Sequence, residues 1–215
     1  MAGIRQQELV KASARVFKRK GYHGATMQDI ADEVGMLKGS LYYHIQSKEK
    51  LLFDILLTGI EVVYEGVKQV LESDLDPKEK LPQAILAHLL SYETRFDEVS
   101  VFLNELVNLP QGMRVEYHKK ADGYVDLWLE IFREGVEKGC FRADLNAKMV
   151  VYAILGICNW TSKWLDLNGP LTLEEIARNY SEIVLNGVLS GAAQETGKST
   201  FHKVLNSHVV VTQKI

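Results

Sequence analysis

The residues best suited to chemistry lie in one short run, Lys38-Gly39-Ser40-Leu41-Tyr42-Tyr43-His44, with Lys48 just beyond it. At helical spacing Leu41 turns inward, while Lys38, Gly39, Ser40, Tyr42, Tyr43 and His44 turn outward. A cation, short donors and aromatic hydroxyls on one outer surface suit phosphate oxygens and the base edges of a DNA major groove. Little in that set suits a protein core. Lys48, opening the next helix, can meet a phosphate beside that helix's free backbone N–H groups. Other chemistry is missing. Gly197-Lys198-Ser199-Thr200 has the ending of a phosphate-binding loop, but Ala192 stands where the motif needs glycine and no strand precedes it. His23, His44, His88, His118, His202 and His208 show no metal-ligand spacing. No serine or cysteine sits in a nucleophile elbow. No catalytic residue, metal or cofactor is expected, and the chain does not read as an enzyme.

The elements that must position this run are helices. Residues 3–20 place Leu9, Ala12, Val16 and Phe17 on one face, and Gly21 stops them. Thr26-Met27-Gln28-Asp29 has the form of a capping box opening a short helix that ends at Val34-Gly35. A third helix is expected over 37–45, and Ser47 caps a fourth over 48–72. Two short helices joined by a glycine, with a longer one before them, are the parts of a helix-turn-helix. Further helices are expected at 77–96, 99–108, 111–138, 146–166 and 172–189. After Gly191 the pattern decays into a tail, whose Val209-Val210-Val211-Thr212 is the only alternating run. The expected fold class is all-α. A helix-turn-helix DNA-binding domain occupies 1–50, a helical effector-binding and dimerisation domain 51–190, and a tail 191–215.

Charge agrees with that division. Residues 1–50 hold nine Lys/Arg against five Asp/Glu, a charge of +4, and the rest hold 16 against 23, or −7. A basic module on an acidic body predicts a polyanionic partner for the first only. The two cysteines, Cys140 and Cys158, form no CxxC pair, which fits a reducing cytosol. The first residues become amphipathic at once, without a signal-peptide core. The apolar run Met149–Cys158 is far short of the roughly 18 residues of a membrane span. A cytoplasmic protein without membrane attachment is expected.

The pattern Leu9, Ala12, Phe17, Gly21-Tyr22, Thr26, Ile30-Ala31, Gly35, Gly39-Ser40-Leu41-Tyr42-Tyr43-His44, Ser47-Lys48-Glu49 and Leu51 resembles the DNA-binding domain of the TetR (tetracycline repressor) family. It departs from that family at Leu37, where a capping Ser or Thr is common, and at Ile45, where Phe is usual. The resemblance implies a homodimer on a near-palindromic double-stranded operator, released by a small-molecule effector. Thr26 joins Lys38, Gly39, Ser40, Tyr42, Tyr43, His44 and Lys48 as the expected DNA-binding set.

In the body, residues 146–166 are apolar nearly all round, so one side is expected to face the core and another a partner subunit. The next helix spaces Ile176, Tyr180, Ile183 and Val184 as the expected dimer interface. Aromatic residues cluster in the same body, and His88, Tyr92 and Arg95 share one helical face. Trp128–Phe141, Ala153–Trp164 with its Asn159-Trp160, and Gly169-Pro170-Leu171-Thr172 look like the subgroup of these regulators that controls fatty-acid or sterol-ring degradation and responds to acyl-CoA thioesters. That resemblance implies an acyl chain among Phe102, Trp128, Phe132 and Trp160, beside His88 and Tyr92, with CoA phosphates at Arg95 and Lys163. Alternatives are a drug-efflux regulator responding to a planar compound, an effector-free nucleoid binder, and a helical acyl-CoA enzyme.

Overall fold

A computed structural model describes residues 2–189. Over these residues the chain forms α1 (Ala2–Gly24), α2 (Met27–Glu33), α3 (Lys38–His44), α4 (Lys48–Leu71) and α5 (Pro77–Glu105). A 3-10 turn at Leu106–Asn108 follows, then α6 (Gln111–Glu137), α7 (Ala147–Thr161) and α8 (Leu173–Val188). The tail with Gly197–Thr200, His202, His208 and Val209–Thr212 lies outside the described residues. No described helix is long and apolar enough to cross a membrane.

Packing divides the chain into two compact units. Among the described residues, the first joins those up to Val62 with Thr94–Gly123, and the second joins Val63–Glu93 with Tyr124–Leu189. The reading module, expected to end near residue 50, thus shares its unit with the first half of α4 and with 94–123. In this unit the predicted face of α1 (Leu9, Ala12, Val16, Phe17) is buried, as are Ile30, Ala31 and Leu41. Gly35 adopts φ 65°, a conformation that disfavours a side chain, and so lets Met36 N–H reach back to the Ala31 carbonyl (2.9 Å) before α3 begins.

In the second unit Trp128, Ile131, Phe132, Phe141, Ile154 and Cys158 are buried. The Phe132 and Phe141 rings stack with centroids 5.4 Å apart. Phe141 lies so close to Gly135 that a Cβ there would come within 2.1 Å of its ring. The carbonyl of Gly135 also accepts from the N–H groups of Cys140 (2.8 Å) and Phe141 (2.9 Å), closing the turn after α6.

Two helix boundaries differ from the sequence expectation. The break expected between 96 and 99 falls at Arg95 (φ −140°, ψ 35°), and α5 resumes beyond it to Glu105. The shared face of His88, Tyr92 and Arg95 therefore ends at Tyr92. Helix α7 stops at Thr161 rather than near 166. Thr161 Oγ1 donates to the Ile157 carbonyl (3.2 Å) and Ser162 Oγ to that of Asn159 (2.8 Å), so hydroxyls compete for the final carbonyls.

Gly135→Ala is expected to push Phe141 off Phe132 and destabilise the protein by about 1–3 kcal/mol, the usual scale for overpacking. Thermal unfolding followed by circular dichroism measures this; an unchanged midpoint would contradict the close approach.

Candidate nucleic-acid interface and effector region

The reading helix is aimed by its neighbours. Thr26 Oγ1 accepts from Asp29 N–H (3.1 Å) and the Asp29 carboxylate accepts from Thr26 N–H (2.9 Å), forming the capping box. The Lys20 ammonium reaches Asp29 at 2.7 Å, and with Thr26 it holds that carboxyl down to about 2. Arg15 (2.8 Å) and Arg19 (3.1 Å) share Glu33 at the other end of α2. Three cations of α1 therefore orient α2 instead of facing solvent freely. On α3, Leu41 is buried and Lys38, Gly39, Ser40 and Tyr42 are exposed, with Tyr43 88% exposed and His44 half-buried. The Tyr43 and His44 rings meet edge-on at 5.3 Å. An open groove is lined by Gly35, Met36, Leu37, Ser40, Tyr43 and His44.

Leu37 is the N-cap of α3, makes no side-chain cap bond and is 80% exposed. It thus occupies the capping position at which the sequence departs from Ser or Thr, and it lines the open groove beside Ser40 and Tyr43. Its exposure has no signal in the sequence.

Lys48 sits with Nζ 4.4 Å from the centroid of Tyr22. Tyr22 is buried, and its hydroxyl donates to Glu49 (3.3 Å); burial first, then Glu49, pushes the phenol up to about 12. Tyr22 N–H donates to Glu105 Oε1 (3.3 Å), and Glu105 also accepts from Asn108 Nδ2 (2.6 Å). Asn108 Oδ1 in turn accepts from His23 Nε2–H (2.8 Å). Lys18 adds an ion pair to Asp97 (2.8 Å) and lies over the Phe96 ring at 4.0 Å. The end of α5 thereby grips the end of α1, a link no local pattern announces.

In the second unit the structure brings His88, Tyr92 and Trp128 together around Tyr124. His88 Nδ1 lies 2.6 Å from the Tyr124 hydroxyl, and Tyr92 donates to the Cys158 carbonyl at 3.1 Å. Phe132 belongs to the stack on Phe141 instead. Arg95 and Phe102 belong to the first unit, where Arg95 pairs with Glu98 (3.1 Å) and Phe102 packs on Tyr117 (5.9 Å). Trp160 is 64% exposed and Lys163 is exposed.

Of the expected interface residues, Ile176 is only 4% exposed and belongs to its own core. Tyr180 is half-buried with its hydroxyl 3.0 Å from that of Thr161, and Val184 is half-buried. Ile183 is 68% exposed, and Met149, Tyr152 and Trp160 of α7 are also exposed. The open apolar surface of these two helices thus runs through Ile183 and α7 rather than through Ile176.

The family described as bacterial regulatory proteins, tetR family, matches residues 9–55. The tetracyclin repressor-like C-terminal domain matches residues 74–188. The HTH-type transcriptional repressor KstR2 of Mycolicibacterium smegmatis is 34% identical over 188 residues, covering 86% of this chain and 90% of that one. The TetR family transcriptional regulator PfmR from Thermus thermophilus is 30% identical, with a TM-score of 0.78 over 83% of this chain and 97% of that chain. AibR, solved in complex with isovaleryl coenzyme A and operator DNA, is 29% identical with a TM-score of 0.76 over the same shares, 83% and 97%.

Lys48→Ala is expected to weaken binding to every DNA sequence and to lower the salt slope by about one counterion, as for the loss of one phosphate contact. Tyr22→Leu, which removes the aromatic face beneath Lys48, is expected to shift affinity in the same direction. Fluorescence anisotropy at several salt concentrations reads both; wild-type affinity and slope in Lys48→Ala would displace the lysine from the interface.

Proposed function

The chain belongs to the tetR family of bacterial regulatory proteins, and from that membership we propose a cytoplasmic, homodimeric repressor that leaves a near-palindromic operator when an acyl-CoA thioester occupies its second unit. The observation that carries the reading is α3, with Leu41 buried beneath an exposed row of Lys38, Ser40, Tyr42 and Tyr43. Such a row presents donors to base edges while Lys48 and the start of α4 hold the backbone. Repression follows most simply from steric blocking of a promoter.

The effector class is supported by the likeness to AibR, whose solved complex holds isovaleryl coenzyme A and operator DNA. His88, Tyr92 and Trp128, a mixed polar and aromatic cluster in the second unit, are the proposed effector contacts. Helix α4 has residues in both units without a break, so it offers a continuous path from the second unit to Lys48, whereas α5 crosses between the units at its kink at Arg95. The effector acts only through unequal affinity for the two DNA-binding states.

Operators are selected from random duplexes, and the complex is then titrated with isovaleryl-, octanoyl- and palmitoyl-CoA, the free acids, and a planar cationic dye. One thioester series is expected to lower operator affinity by roughly 5–150-fold, the usual allosteric coupling. Release by the dye alone would assign the protein to drug-responsive regulation.

The dimer reading has its own test. Ile183→Asp with Trp160→Asp is expected to give monomers with weak operator binding, because ions in a dry interface cost several kcal/mol. Light scattering decides; a folded dimer of the double variant would move the interface off α7 and α8.

A further inference from the structure

His88, Tyr124 and Trp128 form a polar line inside the second unit, and both ends of it lack partners. The Tyr124 and Trp128 rings meet edge-on, with centroids 6.3 Å apart and planes at 89°. Both His88 and Trp128 are buried, and neither His88 Nε2 nor Trp128 Nε1 has a hydrogen-bond partner. A buried polar group left without a hydrogen bond has lost its hydration and gained nothing in exchange. Two in one cluster call for an occupant.

The neighbours decide which nitrogen of His88 carries the hydrogen. Burial holds the imidazole down to about 4, so the ring is neutral at pH 7. Burial pushes the Tyr124 phenol well above its ordinary value, so it keeps its proton. A phenol donates better than an imidazole N–H, and an imidazole nitrogen accepts better than a phenol oxygen. Tyr124 O–H therefore donates to His88 Nδ1, and the ring hydrogen sits on Nε2. The Trp128 indole, a donor only, faces Tyr124 edge-on without reaching its oxygen at hydrogen-bonding geometry. Asn159 lies near enough to favour a charged ring, but it does not meet Nε2 at hydrogen-bonding geometry.

We propose that His88 Nε2–H is the donor that reads an uncharged carbonyl oxygen on the effector, with Tyr124 and Trp128 as positioning residues behind it. The proposal rests on the acyl-CoA reading above and narrows it to the thioester carbonyl. His88, Tyr92, Tyr124 and Trp128 bring no charge to the cluster, so a free carboxylate would lose its hydration there without an ion partner. A thioester or ketone oxygen loses far less.

The test uses the full chain and ligand pairs that differ only at the carbonyl: isovaleryl-, octanoyl- and palmitoyl-CoA against their S-alkyl-CoA thioethers. By calorimetry the wild-type protein is expected to bind the fitting thioester about tenfold more tightly than its thioether, the effect of one hydrogen bond. His88→Phe is expected to bind both with the thioether's affinity. Isotopic nitrogen at histidine gives a readout that needs no variant. In its NMR spectrum the protonated Nε2 of His88 is expected to shift with thioester and not with thioether. Equal wild-type affinities, or a preference that survives in His88→Phe, overturn the contact while sparing the effector class. Failure of every CoA compound to bind overturns both.

Discussion

Gly21 leaves the helical region at φ 70°, ψ 160°, and that departure frees the N–H of Tyr22 from the hydrogen-bond ladder of α1. A donor buried in this way needs an acceptor, and Glu105 supplies one from the end of α5. The same tyrosine rests its ring edge-on against Phe17 at 5.5 Å and presents it to the ammonium of Lys48. Its hydroxyl holds Glu49 at the start of α4. One residue thus ties together the ends of α1 and α5 and the start of α4. The position of the Lys48 ammonium depends on all three. A cation over an aromatic face is attracted by only about 0.5–1 kcal/mol at an exposed site. The contact's value is in where it holds the charge.

Electrostatics inside the reading unit are mostly internal. The N-terminal excess of +4 is real, but Arg15, Arg19 and Lys20 face Glu33 and Asp29, Lys18 faces Asp97, and Lys50 faces Asp54. Exposed pairs of this kind each contribute little to stability. The three to Glu33 and Asp29 tie α1 to α2, from which α3 follows, while Lys18–Asp97 ties α1 to α5 and Lys50–Asp54 stays within α4. Net charge in the sequence therefore overstates how many cations are available to DNA and understates how many aim the helix that reads it.

What was legible in the sequence was local. The Thr26–Asp29 capping box, Gly35 at the turn and inward-facing Leu41 all act within a few residues, and each was recoverable from spacing. Glu105 and Asn108 act on residues more than 80 positions away, and nothing near them in the chain marks that role. Helix α7 posed a different difficulty. With apolar side chains on both faces it has no polar side to orient it, so periodicity left open which face is core. The core is Val151, Ile154, Leu155 and Cys158, and Tyr152 and Trp160 look outward. On α8 the same uncertainty placed Ile176 at an interface, when its neighbours Leu173 and Ala177 are buried with it. The early end of α7 depended on two hydroxyls whose competition for carbonyls has no periodic signature.

The second unit combines two features that a protein selected only for stability would avoid: an apolar surface on α7 and α8 open to solvent, and buried donors without acceptors. Replacing Trp128 by an apolar residue of similar shape would remove one of these donors at little loss, whereas replacing His88 would leave the buried Tyr124 hydroxyl without its acceptor. Such groups fit a site where function opposes stability. Both features are relieved by binding, one by a second apolar surface and the other by an acceptor. Any species that binds the folded state alone adds RT ln(1 + [L]/Kd) to its stability, about 2.7 kcal/mol at a hundredfold excess over Kd. The isolated, empty subunit is then the least stable form of this chain. Because α4 has residues in both units, a ligand that favours one arrangement of the second unit has a continuous helix leading from it to Lys48.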